Sequence, residues 1–152
     1  MTIVRAATAA DRDFAIETAR RFAAFGPPPW RTPHEIVARE VESLDDFFDG
    51  GMHGSTLLIA EDAGRPVGFA FLEHHTDYFT RERHGHLGMI AVIETAEGTG
   101  VGGALLQAAE DWTRAQGYTR LTLNVFEGNT RARRVYERAA FRAEALKYVK
   151  VL

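Results

Sequence analysis

The chain contains no cysteine. That absence excludes a disulfide scaffold, thiolate metal sites and a cysteine nucleophile. No apolar run approaches the roughly 20 residues of a membrane-spanning helix. The opening residues, Met-Thr-Ile-Val-Arg-Ala-Ala-Thr, show no basic region followed by an apolar core, so no signal peptide is expected. A strong excess of either charge is also lacking: Lys and Arg number 18 against 21 Asp and Glu, for a net charge of -3 at pH 7. Nothing global therefore argues for nucleic acid. There is no internal repeat, no low-complexity segment and no linker. One domain over residues 1–152 is expected, cytoplasmic, with neither a nucleic-acid nor a membrane partner.

What is present is periodic. Ile3–Ala7 is short and β-branched and reads as a strand. Thr8 reads as an N-cap, with Asp11 as the acid of a capping box. Phe14, Ile16, Ala19, Phe22 and Ala23 then recur at near-helical spacing, predicting a first helix to about Phe25. Gly26-Pro27-Pro28-Pro29 stops it. Trp30 follows, either a hydrophobic plug or a wall of a binding pocket. Thr32 and Pro33 open a second helix, whose apolar face holds Ile36, Val37, Val41, Leu44, Phe47 and Phe48. Asp49-Gly50-Gly51 ends it.

Leu57–Glu61 and Val67–His75 read as an antiparallel hairpin, with Val67, Phe69, Phe71, Glu73 and His75 on one face. His84–Ile93 is a further strand. Val101, Leu105, Ala108 and Trp112 make the row of a helix packed on a sheet. Leu121–Phe126 reads as a strand, Thr130–Ala139 as a helix and Phe141–Val151 as a last strand. The order is β-α-α-β-β-β-α-β-α-β. It predicts an α/β fold with one mixed, mostly antiparallel sheet and helices on both faces.

Between the strand ending at Ile93 and its following helix lies Glu97-Gly98-Thr99-Gly100-Val101-Gly102-Gly103. Glycines let backbone approach a ligand, and a helix N-terminus presents free N–H groups and a positive dipole. Such a turn suits a phosphate. A Walker loop would need Gly-Lys-Ser/Thr where Gly102-Gly103-Ala104 stands. Gly98, Gly100 and Gly103 fit a dinucleotide fingerprint by spacing, but hairpins precede them and Tyr118 stands where an acid belongs. A bare strand-to-helix turn with no ligand is the remaining reading.

Two motifs narrow this choice. Ile90-Ala91-Val92 followed by Glu97-Gly98-Thr99-Gly100-Val101-Gly102 resembles the acetyl-CoA-binding motif of the GNAT (GCN5-related N-acetyltransferase) superfamily, L-x-V then Q/R-x-x-G-x-G/A. Asn129 to Tyr136, with Ala132 between them and Phe141 beyond, resembles the family's N-x-x-A-x-x-x-Y element. The order of elements fits the family over the whole chain. The resemblance implies acetyl transfer from acetyl-CoA, as cosubstrate, to a primary amine by direct attack. It also implies pyrophosphate held by backbone N–H groups from Glu97 to Gly103, and pantetheine paired with the strand at Ile90, Ala91 and Val92. Asn129 would contact the cofactor, and Tyr136 would reach its sulfur as proton donor. The acceptor would be a small-molecule or peptide amine, and a homodimer is common in the family.

For the base, His86 stands six residues before Val92, where relatives carry Glu or His. An imidazole near its reference pKa of about 6.5 suits proton acceptance at neutral pH. Glu73 and His75 are rivals, acting through a water. His86 and Tyr136 each also have a plainer reading: a partly exposed strand histidine, and a tyrosine that packs its helix on the sheet. Trp30, Phe48, Glu73, Asp77, Tyr78 and Phe79 are read as acceptor-pocket walls. No metal is expected, because the chain lacks Cys and a His-Glu-x-x-His pattern. Three departures from the family pattern stand out: Glu97 for Gln or Arg, Ala140 for Gly, and Glu94 for Pro. Glu97 beside a pyrophosphate motivates an alternative, an acyl-CoA sensor or inactive homologue.

Overall fold

The computed structural model describes all 152 residues. Strands β1 (Thr2–Ala6), β2 (Thr56–Asp62), β3 (Arg65–Thr76), β4 (Arg83–Val92) and β5 (Leu121–Leu123) form one sheet in that spatial order. The first three pairings are antiparallel, and β4 pairs β5 in parallel. Helices α1 (Arg12–Ala19) and α2 (Pro33–Phe48) connect β1 to β2, α3 (Val101–Ala115) connects β4 to β5, and α4 (Thr130–Arg138) follows β5. No helix is long and apolar enough to cross a membrane.

Local chemistry sets the helix starts. The Thr32 hydroxyl accepts the Glu35 N–H at 3.1 Å, and Pro33 needs no donor in the first turn. Asp11 accepts the Thr8 N–H at 2.7 Å and two bonds from the Arg5 guanidinium, at 2.8 and 3.0 Å. The start of α1 is thereby tied to β1. The predicted single helix from Thr8 to Phe25 is divided: 3₁₀ turns at Ala9–Asp11 and Arg20–Ala23 flank α1.

The sheet separates two cores. On one face Phe69, Phe71, Leu57, Ile59, Met89 and Ala91 pack against Ala15 and Ala19 of α1 and Leu44 of α2. On the other, Ala60, Ala70, Leu72 and Leu87 meet Val101, Leu105, Leu106 and Ala109 of α3. Leu44 is fully buried, which stabilises the α2 docking by about 1.5–3 kcal/mol.

Two bulges re-aim the pattern. Ala60 opposes Gly68 while Glu61 opposes Pro66, so Val67 is extra. Val67 joins the α3-side core, not the face of Phe69 and Phe71 predicted for it. Met89 opposes Phe71 while Leu87 opposes Leu72, so Gly88 is extra in β4. Leu87 therefore faces α3 and Met89 faces α1 and α2.

Beside that second bulge the β4–β5 ladder stops. Gly85, His86 and Leu87 oppose Leu121, Thr122 and Leu123, and β4 runs on to Val92 with no strand on that side. The predicted strand Leu121–Phe126 is cut to Leu121–Leu123. The predicted last strand, Phe141–Val151, joins no ladder. Its alternation offers two faces, but a strand also needs an edge to pair with, and Leu146 and Tyr148 bury little against anything.

Candidate active site

The glycine turn sits at the open end of the β4–β5 divergence. A 3₁₀ turn, Glu94–Ala96, leads out of β4. Gly98 and Gly100 then adopt left-handed φ values of 73° and 93°, which glycine reaches without strain. Gly100 caps α3, and the Ala104 N–H to Gly100 carbonyl bond (3.0 Å) starts the helix ladder. The N–H groups of Val101, Gly102 and Gly103 precede that ladder. A Cβ on Gly98, Gly100, Gly102 or Gly103 would meet nothing within 4 Å, so the turn's surface is open.

Glu97 does not point its charge into that opening alone. Its carboxylate accepts Arg131 of α4 at 2.8 Å and Arg21, just after α1, at 2.5 Å. The Arg131 and Arg21 hydrogen bonds hold Glu97 below the usual carboxylate range. Arg21 also donates to the Val92 carbonyl at the end of β4. The acid that motivated the sensor reading is neutralised locally and brings two cations to the turn.

On the α2 side, β3 and β4 extend beyond the apolar core as an open pocket of about 260 Å³. Glu73, His75, His86, Phe71, Gly88 and Met89 come from the sheet, and Arg39, Glu40 and Ser43 come from α2. Glu40 was not anticipated. It stands in the i, i+4 row between Ile36 and the buried Leu44, and a charge in an apolar row was the signal available. Burial, with some contribution from Glu73, pushes its carboxyl above the ordinary range.

His86 is 7% exposed. Its Nδ1 lies 2.7 Å from the Thr122 hydroxyl, which in turn donates to the Gly85 carbonyl at 3.4 Å. That chain of bonds assigns the proton to Nδ1 and leaves the Nε2 lone pair free. The His75 ring stacks on it, centroids 4.0 Å apart and planes 8° apart. Burial first, then the His75 and His84 imidazoles, pull His86 from 6.5 down to about 4. The expected match to neutral pH is thus corrected: His86 is neutral throughout the physiological range and is a weaker base than a free imidazole.

The remaining predicted residues divide. Tyr136 lies across the sheet from His86, against the α3-side core with Ile90 and Val92, its ring 5.9 Å from Phe141. Burial pushes its phenol upward, so it stays protonated. Asn129 caps α4, its side-chain oxygen accepting the Ala132 N–H at 3.3 Å, which leaves its NH₂ available. Of the predicted pocket walls only Glu73 lines the pocket. Trp30 is half exposed, Phe48 lies under the Arg12 guanidinium, and Asp77 is held in its own loop by the Phe79 and Thr80 N–H groups. Tyr78 and Phe79 project from that loop, 80% and 86% exposed. His74 belongs to the α3 side, where Nδ1 meets the Tyr118 hydroxyl at 2.7 Å.

A mixed sheet that diverges beside a glycine turn at a helix N-terminus, with helices on both faces, is the fold of the acetyltransferase class. The model of the acetyltransferase (GNAT) family matches residues 16–141. The chain belongs to that family. It is 34% identical over 106 residues to the uncharacterized N-acetyltransferase YhfO of Bacillus subtilis strain 168, covering 68% of this chain and 71% of that one. Its fold superposes on a provisionally named acetyl transferase from Pyrococcus furiosus with a TM-score of 0.81, at 20% identity over the whole of both chains. It also matches a predicted acetyltransferase with acetyl-CoA from Clostridium acetobutylicum, with a TM-score of 0.72 at 15% identity, over 100% of this chain and 96% of that one.

Proposed function

We propose that the chain transfers the acetyl group of acetyl-CoA to a primary amine by direct attack. The observation that carries this reading is the divergence of β4 from β5 between two unlike surfaces: the carboxylate- and imidazole-lined pocket under α2, and the glycine turn with Tyr136 on the other side. Pyrophosphate would accept N–H groups at Gly98 to Gly103, with Arg21 and Arg131 beside it. Pantetheine would lie along Ile90–Val92, whose backbone has no strand partner on that side. An N–H there faces the thioester oxygen as negative charge develops on it.

The acceptor enters from the α2 pocket. Its nitrogen forms the new C–N bond, its proton passes to Nε2 of His86, the C–S bond breaks, and the Tyr136 phenol protonates the departing thiolate. Thr122 fixes the tautomer that makes Nε2 the acceptor. Glu73 and Glu40, two carboxylates with no Lys or Arg ion pair, favour an acceptor carrying a further positive charge.

Thiol release from acetyl-CoA over a panel of primary amines tests this. Turnover is expected with at least one cationic amine. Tyr136→Phe is expected to lower kcat with the acetyl-CoA KM kept. Thermal stabilisation by CoA with no thiol release across the panel would instead indicate a binding protein.

A further inference from the structure

One face of the β3–β4 ladder carries a two-by-two patch of metal-ligand side chains. Glu73 opposes His86 and His75 opposes His84, each pair two residues apart along its strand. Alternate residues of a strand share a face, and opposed residues are its nearest cross-strand neighbours. We propose that Glu73, His75 and His86 form a site for a divalent transition ion, zinc by preference, and that the bound ion blocks the acceptor pocket.

The ligand atoms of these three residues all lie within 4.8 Å of one another. His75 Nε2 is 3.8 Å from Glu73 Oε2. Tetrahedral zinc with bonds of about 2.0–2.2 Å sets its ligand atoms roughly 3.4 Å apart. The site needs a contraction of about an ångström, and the exposed His75 side chain is free to supply it. Two imidazoles and one carboxylate are a donor set that zinc accepts while keeping one position open. All three residues line the pocket, so an ion held by them would stand in it.

The ligands are also held as a metal site requires. Nδ1 of His86 is engaged by Thr122 at 2.7 Å, leaving Nε2 as the donor atom. The His75 ring now lies parallel on His86, centroids 4.0 Å apart, and must tilt out of that stack for one ion to lie in the plane of both imidazoles; its exposed side chain allows the turn. The Glu73 carboxylate is seated over Gly88, where any side chain would displace it. Glu40 adds negative charge nearby, while Arg39 is turned to Glu42 at 3.2 Å. With no cysteine in the chain, no thiolate competes for the ion.

Blocking of transfer rests on the proposed acetyltransferase reaction; metal binding does not. The test uses untagged, chelator-treated protein titrated with Co²⁺ and then Zn²⁺. Expected are d–d absorption bands of low-coordinate cobalt, saturating at one ion per chain and abolished by zinc. His75→Ala should weaken affinity at least about 10-fold, and so should Glu73→Gln, while the remote His53→Ala should not. His75 is exposed, so its variant reports on the site without threatening the core. Absence of the cobalt bands, or affinity unchanged in His75→Ala, overturns the site. Saturating zinc that leaves amine acetylation intact overturns the block. A chain that binds zinc at these residues and acetylates no amine fails the proposed reaction and keeps the metal site.

Discussion

The Glu73 carboxylate occupies the space that a Cβ on Gly88 would need. Gly88 is the extra residue of the β4 bulge, so one position lies where the β4–β5 ladder stops and seats an acid in the pocket under α2.

Gly88→Ala should therefore act on function before stability. The atom in the way is the end of a flexible side chain, so Glu73 moves and the sheet stays. The melting temperature should change little, while kcat/KM for a cationic amine falls roughly 10- to 100-fold, as displacement of a positioning group by about an ångström does. Steady-state kinetics beside a melting curve checks this.

Acid should weaken the fold through His86. In the unfolded chain it binds a proton below about 6.5, whereas in the folded protein it does so only below about 4. Between those values the unfolded state holds more protons, so stability falls as pH drops through that window. The loss is on the order of 3 kcal/mol when complete. His75, His84, Glu73, Glu40, Arg39 and Thr122 face the ring from β3, β4, α2 and β5. Urea denaturation at stepped pH with chelator present should show the drop, and His86→Gln should remove most of it. The base-limited fall in kcat/KM should likewise lie near pH 4.

Glu97→Gln should tighten acetyl-CoA binding. The change releases Arg21 and Arg131 beside the glycine turn. One exposed charge contact is worth about 0.2–1 kcal/mol, so KM for acetyl-CoA should fall up to about fivefold, with a steeper salt dependence. Arg21→Ala should move KM the other way.

Ala140→Gly should stabilise the protein. Ala140 has φ 67° just past α4, a left-handed conformation costing a residue with a Cβ about 1–2 kcal/mol. Glycine returns some of that as unfolded-state entropy, leaving a gain of roughly 0.5–1 kcal/mol and a few degrees in Tm. Calorimetry measures it directly.

Much of this molecule was legible before its fold was known, because its signals are local. Thr32 and Pro33 mark the start of α2 in sequence as they do in space, and the glycines at 98 and 100 are where φ turns positive. What stayed hidden depends on partners. The bulge at Gly88 is set by cross-strand register, which alternation cannot fix. The lowered His86 pKa depends on which rings pack beside it. Glu40 looked like an ordinary helix acid until β3 was laid under it. The Phe141–Val151 pattern has the right alternation and pairs with no strand.

From Gly88 to Val92, β4 is an edge strand inside its own sheet, bonded to β3 on one side and bounded by the gap on the other. Sheets usually finish such edges with another strand. Here the finishing strand can be borrowed. An extended ligand that pairs with β4 and stays out of the unfolded chain adds RT ln(1 + [L]/Kd) to stability. The amides of this stretch would then exchange with solvent at a rate that reports how full the gap is, making β4 a built-in gauge of ligand concentration.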